Sequence, residues 1–143
     1  MTIRKIILAT FLPTLLVFVV RAEIRPTSWP WVDSMDAVRA APKNHKVLYE
    51  DDRVRILEVS VYPGEKEPMH FHRWPSVLIL DRPVKSRNHT WDGKTKDIAG
   101  PTPRTPIPLV VRMGPEQPHS MENLATNILH LYRIEFKKLK FCN

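Results

Sequence analysis

The sequence predicts an all-β fold, a small antiparallel β-barrel or sandwich that follows an irregular N-terminal arm. Three observations predict it. Short apolar or alternating segments follow one another closely from about residue 46 to residue 137. Proline is abundant, with 14 residues, and it disfavours helix interiors and central strands. Hydrophobic residues make up 43% of the 143 residues, which is enough for the core of one domain.

The first 22 residues are typical of a secretory signal peptide. Arg4 and Lys5 precede an uncharged run of 15 mostly apolar residues, 6–20, and Ala22 offers a small residue at a cleavage site. The run is shorter than the roughly 20 residues that span a bilayer, and Pro13 lies within it. We therefore expect a secreted or periplasmic protein, with an uncleaved membrane anchor as the alternative.

Charge and cysteine usage exclude some functional classes. The formal net charge is +7, but three basic residues and no acidic ones lie in residues 1–22, so the remainder carries +4. No basic helix, zinc finger or aromatic RNA-binding strand accompanies this charge, so no specific nucleic-acid partner is expected. Cys142 is the single cysteine, which excludes an internal disulfide and a thiolate metal cluster.

Residues 23–45 are predicted to form the arm, because prolines interrupt the segment repeatedly. A short helix is expected over 33–41, with Asp33 or Ser34 as its N-cap. Trp29 and Trp31 are expected to pack against the barrel. A basic tail, 138–143, is expected to follow the barrel at 46–137.

The barrel segment divides into short predicted strands separated by turns. Within 53–62, apolar residues first alternate with arginine at Val54 and Ile56 and then change phase to Leu57, which predicts a β-bulge. Asp92-Gly93 predicts a hairpin turn, and four prolines in 100–108 predict a loop. The predicted strands are 46–50, 53–62, 68–72, 76–80, 85–91, 94–98, 109–113, 119–124 and 126–137.

Histidines supply the candidate chemistry. His70 and His72 are two residues apart, so on a strand both side chains project from the same face. Two imidazoles on one face can bind one metal ion, and a third, His119, follows with 46 residues between it and His72. His45 and His89 lie in polar segments that we expect to be exposed.

These residues resemble the two motifs of the cupins. Gly64, five further residues and His70-Phe71-His72 are similar to the first motif, and His119, three residues and Asn123 are similar to the end of the second. The resemblance covers residues 46–137 and is closest to small single-domain cupins of the cupin 2-like conserved barrel. It implies an antiparallel jelly-roll barrel and, as expected partners, a small-molecule ligand or substrate and a second copy of the chain in a homodimer.

The sequence departs from the family pattern at one ligand. The first motif's glutamate should fall at position 76 or 77, where this chain has Ser76 and Val77. The resemblance therefore implies a divalent metal (Fe, Mn, Zn or Ni) held by His70, His72 and His119 alone. Three neutral imidazoles leave the site charge at +2, which favours anionic ligands and lowers the pKa of bound water.

Further residues are expected to contact the ligand histidines or to line the pocket, from the same resemblance and from strand phase. Asn123 is a candidate by its motif position, and Ser76 by its place where the glutamate is absent. Gln117, or Glu116 in its place, is a candidate because its side chain could swing toward the metal. His130 is a candidate if the face of the last strand that carries Tyr132 points into the barrel.

Two functions remain open on these residues. One is a metal-dependent enzyme, an oxygenase of the dioxygenase type or a related enzyme acting on a small organic molecule. The other is a non-catalytic barrel, with or without a metal, that binds or senses a small ligand. A purely structural secreted protein is a third, weaker alternative. An acid or base beside the metal would favour catalysis, and the sequence indicates none clearly.

Overall fold

A computed structural model describes residues 29–138, and the predicted signal peptide lies outside them, as does nearly all of the predicted basic tail. Nine strands form two antiparallel sheets. The strands are β1 (His45–Glu50), β2 (Val54–Val61), β3 (His70–His72), β4 (Ser76–Arg82), β5 (Ser86–Thr90), β6 (Thr95–Ile98), β7 (Leu109–Met113), β8 (Glu116–Asn123) and β9 (Leu129–Phe136).

The two sheets enclose the core between them. One has five strands in the order β1-β2-β9-β4-β7, and the other has four in the order β3-β8-β5-β6. Leu57 and Val59 of β2 pack with Leu131 of β9, while Val61 and Leu129 pack with Val84. Side chains of both sheets line one internal cavity. The all-β prediction is therefore confirmed.

Turn residues act as the sequence indicates. Gly93 has a φ of +82°, a left-handed conformation that glycine adopts without strain, and it lies between β5 and β6 in the predicted hairpin. Residues 100–108 contain no strand and connect β6 to β7. No helix within residues 29–138 has the length and apolar character needed to cross a membrane.

The arm contains less helix than predicted, and a different residue caps it. A 3₁₀ turn (Asp33–Met35) precedes a single short helix, α1 (Ala37–Ala40). Asp36 is its N-cap, because its carboxylate accepts from the backbone N–H of Val38 at 3.2 Å. The two arm tryptophans do pack on the barrel: Trp29 contacts Phe71 edge-on, and Trp31 contacts Trp91.

The predicted β-bulge in β2 is wrong. β2 pairs with β9 without a register shift from Val54 to Val61, and its side chains alternate regularly between half-buried and buried. The apparent change of phase arises because Arg55 points inward with Leu57, Val59 and Val61. The irregular pairing lies instead in β1, between Val47 and Tyr49.

Arg55 is accommodated inside the protein by two buried carboxylates. Its Nε donates to Glu135 Oε2 at 2.5 Å, and its Nη1 and Nη2 donate to the two oxygens of Asp36 at 2.9 and 3.2 Å. The Glu135 side chain is fully buried and also accepts from His72 Nδ1 at 2.7 Å. This network joins the arm, β2 and β9 to the histidine strand β3.

Replacing Arg55 by methionine tests this network. The change leaves two buried carboxylates without their cation, so we expect the free energy of unfolding to fall by about 3–5 kcal/mol. Urea denaturation measures it. Arg87→Met is the matched control, because Arg87 pairs with Asp97 at the surface with a similar Nε–carboxylate distance of 2.5 Å. Its denaturation midpoint should stay near that of the wild type, and equal effects of the two variants would contradict the role given to the buried network.

Candidate metal centre

Sheet pairing brings the three predicted ligands together. His70 and His72 lie on β3 and are 1% and 2% exposed, and His119 lies on β8 directly opposite His70 in the antiparallel register. The ring centroids of His70 and His119 are 4.7 Å apart, those of His70 and His72 5.1 Å, and those of His72 and His119 5.6 Å. These three rings therefore lie close together, and their role as metal ligands stays a prediction.

A fourth histidine, His45, belongs to the same cluster. The expectation that His45 is exposed is wrong, because only 4% of its surface is exposed. Its ring centroid lies 4.5 Å from that of His70 and 5.3 Å from that of His72. His45 opens β1 opposite Val59, and it is the one buried residue of that strand. Its polar neighbours in the sequence gave no indication of this position.

Hydrogen bonds fix the tautomer of all four rings. Nδ1 of His70 faces the Pro68 carbonyl oxygen at 2.8 Å, and His72 Nδ1 faces the Glu135 carboxylate. His119 Nδ1 lies 2.9 Å from the Gln117 carbonyl oxygen, and His45 Nδ1 lies 3.3 Å from that of Ala41. Each partner only accepts, so Nδ1 carries the proton. In a neutral ring Nε2 is then left with a lone pair for a metal.

Burial keeps His45, His70 and His72 neutral. It lowers the pKa of His45 to about 3 and that of His70 to about 2, and it lowers the pKa of His72 well below its ordinary value. Arg133 acts in the same direction on all three rings, because its positive charge opposes protonation. Neutral imidazole is the form that binds a metal ion.

The donor set fits a transition-metal ion. His45, His70 and His72 each offer a ligand atom, and these atoms lie within 4.8 Å of one another. Metal–imidazole distances are about 2.0–2.1 Å, so nitrogens sharing one ion are at most about 4.2 Å apart, and small side-chain shifts would suffice. His119 stands against His70 as a further donor. The residues present could therefore hold a divalent ion.

Two carboxyl groups border the cluster. Burial raises the pKa of Glu67 to about 8, so this group is mostly protonated at neutral pH. Its Oε1 lies 3.8 Å from His45 Nδ1 and has no hydrogen-bond partner within the described part of the chain. Glu116 lies opposite His72 in the β3–β8 pairing and also lines the cavity. Neither occupies the motif position of the family's glutamate.

The histidines lie at one end of an apolar cavity of about 360 Å³. Its volume falls in the range of small-molecule sites. The remaining wall comes largely from aliphatic side chains of the five-stranded sheet: Val59, Val61, Leu78, Leu80, Leu109, Val111, Leu129 and Leu131. A molecule in this cavity would contact imidazole nitrogens at one end and hydrocarbon along its length.

The structure places Asn123 and Ser76 away from the cavity lining. Asn123 is fully buried, donates to the carbonyl oxygens of Val61 and Asn127, and accepts from the N–H of Ala125, so it holds the β8–β9 connection. Ser76 is buried between β7 and β9, and its Oγ has no hydrogen-bond partner within residues 29–138.

Gln117 and His130 also lie outside the cavity. The Gln117 side chain is exposed, and its Oε1 accepts from Trp91 Nε1. The backbone carbonyl oxygen of Gln117 orients His119. His130 points outward, with Nδ1 2.5 Å from Asp81 and Nε2 3.3 Å from Glu58. The inward face of β9 is the opposite one, which carries Leu129, Leu131, Arg133 and Glu135.

Comparison with solved structures identifies the fold. A cupin domain from Bordetella pertussis aligns with a TM-score of 0.53 at 18% identity over 65% of this chain and 91% of that one. An RmlC-like cupin family protein with a double-stranded β-helix fold from Methanocaldococcus jannaschii aligns with a TM-score of 0.48 at 15% identity over 64% and 77%. A double-stranded β-helix domain from Klebsiella pneumoniae covers 87% and 91% at 14% identity and a TM-score of 0.48.

The chain therefore has the fold of a solved cupin domain, and the expected jelly-roll barrel is confirmed at the level of the fold. No protein-family model and no curated protein matches the sequence. At 18% identity, the match to the Bordetella pertussis domain shows the architecture alone.

Removing single histidines tests the metal centre. We expect wild-type protein purified without a histidine tag to bind about one divalent ion. His45→Ala, His70→Ala, His72→Ala and His119→Ala should each lower the metal affinity by more than the 10- to 100-fold typical of losing an outer partner. Equilibrium dialysis followed by elemental analysis measures both quantities. His130→Ala is the control and should retain the metal, because His130 points away from the cavity. Equal, near-zero metal in the wild type and in all of the variants would contradict the proposed metal centre.

Proposed function

We propose that this protein is a secreted or periplasmic metal-dependent enzyme that acts on a small organic molecule inside the barrel. The observation that carries the proposal is the convergence of four imidazoles, each held through Nδ1, at the end of an apolar cavity. His45, His70, His72 and His119 would hold the metal. A bound divalent ion supplies Lewis acidity or, for iron, reaction with oxygen.

The surrounding residues have definite roles in such an enzyme. The aliphatic walls exclude water and receive the apolar part of the substrate. Glu135 orients His72, and the Gln117 carbonyl oxygen orients His119. Glu67 places a mostly protonated carboxyl group beside the cluster, with one oxygen free of hydrogen bonds to residues 29–138. It is the candidate for holding or moving a proton at Oε1, which the sequence did not indicate.

Oxygen-dependent oxidation of a small organic acid is the reaction class that we propose first. Three of the four imidazoles suffice to anchor a metal while other coordination positions stay open to substrate. The fourth imidazole gives specific support to the alternative function. Four imidazole nitrogens can close a tetrahedral site, which would suit a barrel that binds or senses a ligand without catalysis.

Glu67→Gln tests the proton-transfer role and separates catalysis from binding. With iron-loaded protein and a set of aliphatic and aromatic carboxylic acids, we expect oxygen consumption with at least one acid. The variant should lower that rate about 10²- to 10⁴-fold at unchanged metal content, because the amide cannot exchange a proton. An oxygen electrode and mass spectrometry of the products measure this. Fully loaded wild type that binds acids yet converts none would favour the non-catalytic barrel.

Secretion or periplasmic export is part of the proposal and is supported by the charged start and apolar run of residues 1–20. We expect the full-length chain, expressed in a cell with a general secretory pathway, to be exported and cut after Ala22. Mass spectrometry of the mature protein should then show a chain that begins at Glu23. A full-length mass in the membrane fraction would favour the uncleaved anchor.

A further inference from the structure

Arg133 is a buried cation beside the histidines that the proposed metal centre does not use. It lies on the inward face of β9 between Leu131 and Glu135, its side chain is 4% exposed, and it lines the cavity. Buried arginines are rare unless their five N–H groups are satisfied by acceptors. Its hydrogen-bond partners therefore decide what the residue does.

The partners of Arg133 leave its donors poorly satisfied. Nη2 lies 2.6 Å from Glu116 Oε2, and Nε lies 3.5 Å from Glu135 Oε1. Neither nitrogen makes a hydrogen bond of acceptable geometry within residues 29–138, and neither does Glu116 Oε2. Glu135 is already occupied by Arg55 and His72. A buried donor without an acceptor is costly, so this guanidinium has capacity for an incoming anion.

The two carboxyl groups near Arg133 differ in their freedom to leave. Glu135 is fully buried in its network, whereas the Glu116 side chain is 22% exposed and can turn toward solvent. A ligand carboxylate could therefore take the place of Glu116 and accept from Arg133 in the planar, bidentate geometry that the guanidinium prefers.

The rest of the cavity defines the other end of the ligand. Leu129 and Leu131 share the inward face of β9 with Arg133, and they continue into the aliphatic wall. Lys96 also lines the cavity and is exposed, so the lining carries a second positive charge. A carboxylate at Arg133 thus leaves the body of the ligand against hydrocarbon.

We propose that the cavity binds a monocarboxylate with an apolar chain or ring, and that the ligand's carboxylate displaces Glu116 from Arg133. This names the substrate class of the proposed enzyme and rests on that function for its biological meaning. The binding itself depends on Arg133 and not on the metal. The two ideas can therefore fail separately.

Calorimetric titration of metal-free protein with 3-phenylpropanoate and its neutral amide, 3-phenylpropanamide, tests the proposal. We expect the wild type to bind the acid at least about tenfold more tightly than the amide, as the loss of a charged hydrogen-bonding pair implies. Arg133→Gln should remove this preference and leave amide binding unchanged, which also shows that the variant is folded. Arg87→Gln, at an exposed ion pair, should bind both probes as the wild type does.

Glu116→Gln should change the affinity for the acid in the opposite direction, and this test does not depend on the folding of the Arg133 variant. Removing the competing carboxylate should tighten acid binding several-fold and leave the amide unaffected. Equal binding of acid and amide by the wild type, or acid binding weakened by Glu116→Gln, would overturn the proposal and leave Arg133 as a structural ion pair. Because the protein is metal-free, a preference for the acid would stand even if the histidine variants showed that no metal is bound.

Discussion

The carboxylate of Glu135 is the interaction on which the rest of the structure depends. It lies fully buried between Arg55 and His72 and accepts a hydrogen bond from each. Through Arg55 it is tied to Asp36, which caps the arm helix α1 and forms a bridge to Phe71 of the histidine strand. One anion thus neutralises a buried cation, sets the tautomer of a candidate ligand and anchors the N-terminal arm to the barrel.

The inward face of β9 shows how packing and chemistry share one strand. Leu129 and Leu131 belong to the core, and the next two residues on that face, Arg133 and Glu135, lie among the histidines. The period-two alternation of a strand forces these residues into a single row. The cavity therefore passes from apolar to charged along this row, and a bound molecule would experience the same gradient.

The sequence predicted the fold and three of the four rings because both rest on local pattern and motif spacing. His70 and His72 share a face by strand periodicity, and the match to two motifs placed His119 beside them. His45 could not be found in this way, since its burial comes from a turn of chain around Ala41 and from sheet pairing. Arg55, Arg133 and Glu135 were equally hidden. Charged residues on a strand ordinarily indicate a face exposed to solvent. These residues are buried because partners distant in the sequence, such as Asp36, pair with them. The buried Arg55 is also the reason that the sequence of β2 resembled a bulged strand.

The distribution of the four imidazoles between the sheets has a mechanical consequence. His45 belongs to the five-stranded sheet, whereas His70, His72 and His119 belong to the four-stranded one. An ion shared by all four would cross-link the two sheets and hold them at a fixed separation. The bound ion would then oppose separation of the sheets most strongly at the histidine end of the cavity and least at the aliphatic end. Metal binding would therefore make the barrel more rigid at one end than at the other.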